Sequence, residues 1–159
     1  MKNLYETDYY QWLQQQKDYL SNRQFDKLDI ENLIGEVDDM GSELDTLETR
    51  LTTLLLHLLK YHYQTQVINP VLPEPYSCRD WKNTISRTRL ALIKLIKRRP
   101  HLKGHENDIL PESYKDAKHL AIEAMNYYVQ PHQQLNNESF PDVCPWSFDT
   151  IMQEGWLPA

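Results

Sequence analysis

The sequence predicts an all-α protein: a single helical-bundle domain over residues 1–159 with about four main helices, one of them long and central, and a short C-terminal helix. Three observations predict it. Ile30, Leu33, Val37, Met40, Leu44, Leu47, Leu51, Leu54, Leu58 and Tyr61 recur at alternating spacings of three and four, the heptad signature of a helix that buries one seam. Glycine occurs only 4 times in 159 residues, which suits helices better than a turn-rich β fold. No stretch carries a competing strand pattern.

In chain order, Thr7 is placed to cap a first helix of about four turns, with Asp8 in the first turn where a carboxylate suits the helix dipole. Tyr9, Trp12, Gln16 and Tyr19 give that helix an inward face. Asp29 then stands as N-cap of the long helix, its oxygen available to the amide of Glu31 or Asn32. Gly41-Ser42 costs roughly 1 kcal/mol in helix propensity. The pattern resumes in phase beyond it, so one continuous helix is expected from 30 to about 63, on the order of 50 Å long. Pro70, Pro73 and Pro75 make Gln64 to Ser77 a non-helical connection.

A third helix is expected from about Asp80 to Arg99, with Trp81, Ile85, Leu92 and Leu95 on its stripe and Pro100 stopping it. A fourth is expected to begin with Pro111 in its first turn and to end before Pro131, with Ala117, Ala121 and Ala124 allowing close helix approach. Ser147 is placed to cap a final short helix ending at Gly155. Phe140, Trp146, Phe148 and Trp156 make this tail aromatic enough to close one end of the core.

Charge bounds function. A formal charge of -6 and a pI near 5.5 make a general nucleic-acid binder unlikely. The acidic first half of the long helix and the basic run Lys94, Lys97, Arg98 and Arg99 would meet if the second and third helices fold back antiparallel. That arrangement puts Tyr61 near Trp81 and Glu43 near Arg99. Cys78 and Cys144 have no C-x-x-C spacing and read as ordinary cytoplasmic thiols. The first ten residues lack a signal pattern, and the most apolar run, Leu54 to Leu59, is too short to span a bilayer. A cytoplasmic protein with no membrane segment is expected.

No catalytic residue is assigned, because no H-E-x-x-H, phosphate loop or nucleophile elbow occurs. No metal or cofactor is expected. The candidate binding residues are Glu36, His57 and Trp81. His57 flanks the seam on the side where Ile85 and Trp81 should pack. A histidine so placed is more often a half-buried, hydrogen-bonded residue than a ligand or base. Glu36, Glu43, Arg50 and His57 share a flank at intervals of seven, about 10 Å apart along the axis, too far to share one metal ion.

Leu4-Tyr5-Glu6-Thr7-Asp8-Tyr9-Tyr10-x-Trp12, Leu28 to Ile34, Glu36-Val37-x-x-Met40-Gly41, Leu54-Leu55-x-His57-Leu58-Leu59-Lys60-Tyr61, Trp81-x-x-Thr84-Ile85 and Phe140-Pro141-x-x-x-Cys144-Pro145-Trp146 occur in this order. With these blocks the chain resembles the bacterial family, common in cyanobacteria, called domain of unknown function 29. The resemblance implies a compact helical protein and no established activity. Gly35, where the family often has an acid, and Asp80, where it often has Ser, depart from the pattern.

The leading expectation is therefore a non-catalytic interaction or regulatory module with an unknown protein partner. A hydrolase or metal-dependent enzyme with a site between the second and third helices is the alternative. A nucleic-acid-linked regulator, resting on the basic run alone, is the second. The heptad seam is expected to find its partners within the chain, leaving a monomer or a homodimer.

Overall fold

The structure, a computed structural model, describes residues 3–159. Its α-helices are α1 (Leu4–Thr7), α2 (Tyr9–Ser21), α3 (Ile30–Tyr63), α4 (Arg79–Arg98), α5 (Glu106–Asn126) and α6 (Phe148–Met152). No strand occurs among the described residues, and the fold is all-α. The chain divides into two compact units, Met1–Glu43 and Leu44–Ala159, and the boundary falls within α3. That helix is continuous through Gly41, as the phase of its pattern requires.

In the first unit, Asn3 caps α1 by accepting the amide of Glu6 at 3.1 Å. Asp8, not Thr7, caps α2: its carboxylate accepts the amide of Gln11 at 3.1 Å. A full negative charge at the positive end of the helix adds dipole stabilisation that a hydroxyl lacks. Thr7 instead closes α1, its hydroxyl donating to the Asn3 carbonyl. Only Trp12 and Gln16 of α2 are buried, and both are tied to the start of α3. The Trp12 indole donates to the Asp29 carboxylate at 2.9 Å, and the Gln16 side chain accepts the Asp29 amide at 2.8 Å. The Asn32 side chain and amide also donate to that carboxylate, the side chain at 2.7 Å, so Asp29 caps α3 as expected and its pKa lies below the usual value.

The second unit holds the hydrophobic core. Leu47, Leu51, Leu54, Leu55, Leu58 and Leu59 of α3 are buried with Ile85, Leu92 and Leu95 of α4 and Tyr114, Ala117, Ala121 and Met125 of α5. The expected return of the chain beside α3 is seen at its near end. Lys60 Nζ lies 4.4 Å from the Trp81 ring centre, and Lys82 Nζ lies 5.8 Å from that of Tyr61.

Three further boundaries differ from expectation: the connection after α3, the start of α5, and the end of α6, which stops at Met152 rather than Gly155. Residues Gln64–Ile68 continue as a π-helical turn, followed by a 3-10 turn at Asn69–Val71. The first proline stands only at 70, and Pro70 lies at the start of the 3-10 turn, where a missing N–H costs nothing. Asn69 ties the connection together: its side chain accepts from Gln64 and from the Tyr76 amide, and donates to the Tyr76 carbonyl. Helix α5 begins at Glu106 rather than at Pro111, which lies inside it. Glu106 and Asp108 favour the helix start, and buried Ile109 anchors this extra turn.

The tail packs on the core as its aromatic content predicts. Phe140 and Ile151 are buried, and Trp146, Phe148 and Trp156 pack against the cluster. Ser147 caps α6, accepting the Thr150 amide at 3.2 Å; the helix ends at Met152, and Gly155 follows in a turn with φ 78°. Buried Arg89 of α4 holds the tail by donating to the carbonyls of Ile151 and Trp156, each at 2.9 Å. Tyr114 adds a 2.6 Å bond to the Pro141 carbonyl.

The seam of α3 is satisfied within the chain only in part. It is buried from Leu47 onward, with Leu44 packed partly against the core. Before that, Ile30, Val37 and Met40 are 53%, 65% and 60% exposed, and Ile34 is 58% exposed. The heptad spacing is uninterrupted; the burial is not.

Candidate functional site

Glu36 lies in the first unit, and His57 and Trp81 lie in the second. Two turns of helix carry Glu36 from the capping Asp29 back to the same face of α3, toward the three-and-four-spaced aromatic face of α1 and α2. There its carboxylate accepts the Tyr5 hydroxyl at 2.8 Å and the Tyr9 hydroxyl at 2.6 Å. The two phenols continue into an aromatic group: the Tyr9 ring stacks at 5.9 Å on Trp12, and Tyr5 meets Trp12 edge-on at 4.8 Å. The bond to Glu36 stabilises each phenol in its protonated form. Tyr9 is pushed up to about 12, and Tyr5 is raised for the same reason. Each oxygen of Glu36 is thus engaged by a phenol of its own unit. Tyr5 and Tyr9 are the site partners that sequence reasoning missed; the matching spacings of Tyr5, Tyr9, Trp12 and Gln16 against Asp29 and Glu36 were the available signal.

In the second unit, His57 is half-buried, and its Nδ1 lies 2.8 Å from the Thr53 carbonyl one turn back. A carbonyl can only accept, so this contact places the proton on Nδ1 and leaves Nε2 as the lone-pair nitrogen. Burial lowers the pKa of His57, and the nearby charge of Lys60 lowers it further, against the raising effect of the Thr53 carbonyl. Lys60, three residues on, is the group the two candidates share. Its ammonium sits on the Trp81 ring, and the Tyr76 ring meets Trp81 edge-on at 5.2 Å. Burial also lowers the pKa of Lys60. Cys78, just before α4, is fully buried in a left-handed conformation with φ 58°, its thiol pushed up by burial and drawn down by Lys82 and Lys60. The sequence offered Trp81 and His57; it gave no separate sign that Lys60 would bridge them.

A cleft of about 1040 Å³ opens elsewhere in the second unit, between the Glu48–Thr53 stretch of α3 and the Pro111–Leu120 stretch of α5. Its charged rim mixes Glu48, Lys115, Asp116 and Asp142, and Lys118 is paired with Asp142 at 3.5 Å. The Thr52 and Thr53 hydroxyls are spent on backbone carbonyls of α3. No group of three His, Cys, Asp or Glu residues converges to hold a metal ion among the described residues. Both cysteines are free, and among the described residues no helix is long and apolar enough to cross a membrane.

The feature of another kind is the apolar face of α3 in the first unit. At 100° per residue, Ile30, Ile34, Val37 and Gly41 fall within about 60° of arc, flanked by Leu33 and Met40. A side chain added at Gly41 would meet nothing within 4 Å, so this face is open at its C-terminal end.

The family model described as Domain of unknown function DUF29 matches residues 4–157. The chain belongs to that family. No curated protein and no solved structure matches it. Both candidate regions of this DUF29 chain, and the exposed face of α3, fall inside the matched span.

Proposed function

We propose that this DUF29 chain is a non-catalytic protein-interaction module that docks a partner through the exposed apolar face of α3 in its first unit. The observation that carries this reading is the row Ile30, Ile34, Val37 and Met40, each more than half exposed on consecutive turns of one helix. Single exposed apolar residues need no explanation, but a contiguous row of them is characteristic of an interaction surface. Covering a half-exposed aliphatic side chain stabilises by roughly 1 kcal/mol, so the four together supply a docking energy that their own fold leaves unused. The hydrogen bonds from Tyr5 and Tyr9 to Glu36 and from Trp12 to Asp29 hold α2 against α3, which keeps the face ordered before a partner arrives. Cytoplasmic action fits the two free thiols.

A photoreactive amino acid placed at Ile34 or Val37 in living cells tests the reading. It should give a discrete cross-linked species, absent when the label stands at exposed Gln14. Cross-linking no stronger than at Gln14 would contradict it.

A second reading has one observation in its favour. His57 carries its proton on Nδ1, and burial and the charge of Lys60 favour its neutral form, which leaves Nε2 as a base. As a hydrolase, the chain should show turnover in a broad esterase and phosphodiesterase screen that His57→Ala abolishes; turnover unchanged by that substitution would remove this reading.

A further inference from the structure

Charge in this chain is segregated. Residues 1–43 contain ten Asp or Glu and four Lys or Arg, a formal charge of -6 that equals that of the whole chain, and residues 44–159 balance. From Leu28 to Thr49 there are eight acidic residues and no Lys or Arg. The exposed apolar face of α3 lies in the middle of this run. Glu31 and Asp38 stand beside Ile34 on one edge, both exposed, and neither is in an ion pair among the described residues. Beyond Leu33 and Met40 on the other edge stands Glu36, whose carboxylate accepts the Tyr5 and Tyr9 hydroxyls.

This pattern discriminates between occupants. A second copy would bring the same apolar row together with a second acidic flank, and like charges across a helix seam are unfavourable whichever way the helices run. A basic amphipathic helix would cover the row and place Lys or Arg against Glu31 and Asp38. Gly41 adds shape to charge: the absent side chain at the C-terminal end of the row lets a partner helix approach closely there.

We propose that the partner of this face is a positively charged amphipathic helix of another protein. The proposal rests on the docking-face reading above and adds the partner's chemistry to it.

The experiment uses the full chain and two fluorescently labelled three-heptad peptides with identical apolar positions, one flanked by Lys and the other by Glu. The Lys-flanked peptide should bind at least about tenfold tighter by anisotropy, and added salt should erode that preference. Ile34→Gln with Val37→Gln should abolish binding, while Glu31→Lys with Asp38→Lys should reduce or reverse the preference. These positions are exposed, and circular dichroism of each variant verifies that it stays folded. Equal affinity for both peptides, lost together in the apolar variant, would overturn the basic-partner inference and leave the docking face standing. The same holds for a dimer in sedimentation that Ile34→Gln with Val37→Gln dissolves while the Lys-flanked peptide fails to bind. Binding of neither peptide, with a monomer in sedimentation, would overturn both.

Discussion

Glu36 and His57 face opposite problems. Glu36 is a carboxylate that accepts one phenol on each oxygen, and the pKa values of those phenols are raised by it. Tyr9, raised to about 12, should ionise well after an ordinary tyrosine with a value near 10. The raised folded-state value means the bond contributes stability below pH 10 that is lost as pH rises through the folded value. Ultraviolet titration of Glu36→Gln should shift the transitions of Tyr5 and Tyr9 downward; an unchanged titration would refute the assignment. His57 has a folded-state pKa below its ordinary value of 6.5, chiefly through burial. Its neutral form is the one the fold accommodates, so stability is full above pH 6.5 and falls as pH drops through the folded value. Urea midpoints measured across that range should decline less steeply in His57→Gln than in the parent. Equal slopes would show that the ring titrates as it does in the unfolded chain.

At the scale of elements, the tail depends on one buried cation. Arg89 donates to two tail carbonyls, and removing it leaves both acceptors unsatisfied beneath the aromatic cover. Arg89→Met should destabilise the chain by about 2–4 kcal/mol in denaturant titration and loosen residues 146–157 first in hydrogen exchange. A cost below about 0.5 kcal/mol would mean the tail holds by packing alone. Periodicity made α3 and α4 legible, because an apolar stripe of helical period has one structural solution. It misplaced the start of α5, where Pro111 resembled a first-turn proline while Glu106, Asp108 and Ile109 supplied an earlier start. Arg89 was invisible to it, since nothing local marks an arginine whose acceptors lie 62 and 67 residues away. The candidate site was legible only as single residues: Glu36 proved to be bound to Tyr5 and Tyr9, and the link between His57 and Trp81 runs through Lys60. Most instructive is α3 itself. A heptad repeat states which face a helix would bury, not what buries it, and over its first three turns only Leu33 of the seam is even partly buried.

At the scale of the molecule, one helix carries two kinds of surface. From Leu47 onward its seam is core, and before Leu44 the same spacing is displayed to solvent within the chain's acidic region. The central claim is that this displayed row is not part of the chain's own core. Equilibrium unfolding of Ile34→Gln with Val37→Gln, beside Leu51→Ala as a core reference, tests it without any partner. Leu51→Ala should cost about 2–5 kcal/mol, and the double variant no more than about 0.5 kcal/mol. A loss in the double variant comparable to that of Leu51→Ala would show that the row serves the fold, and would contradict the docking face.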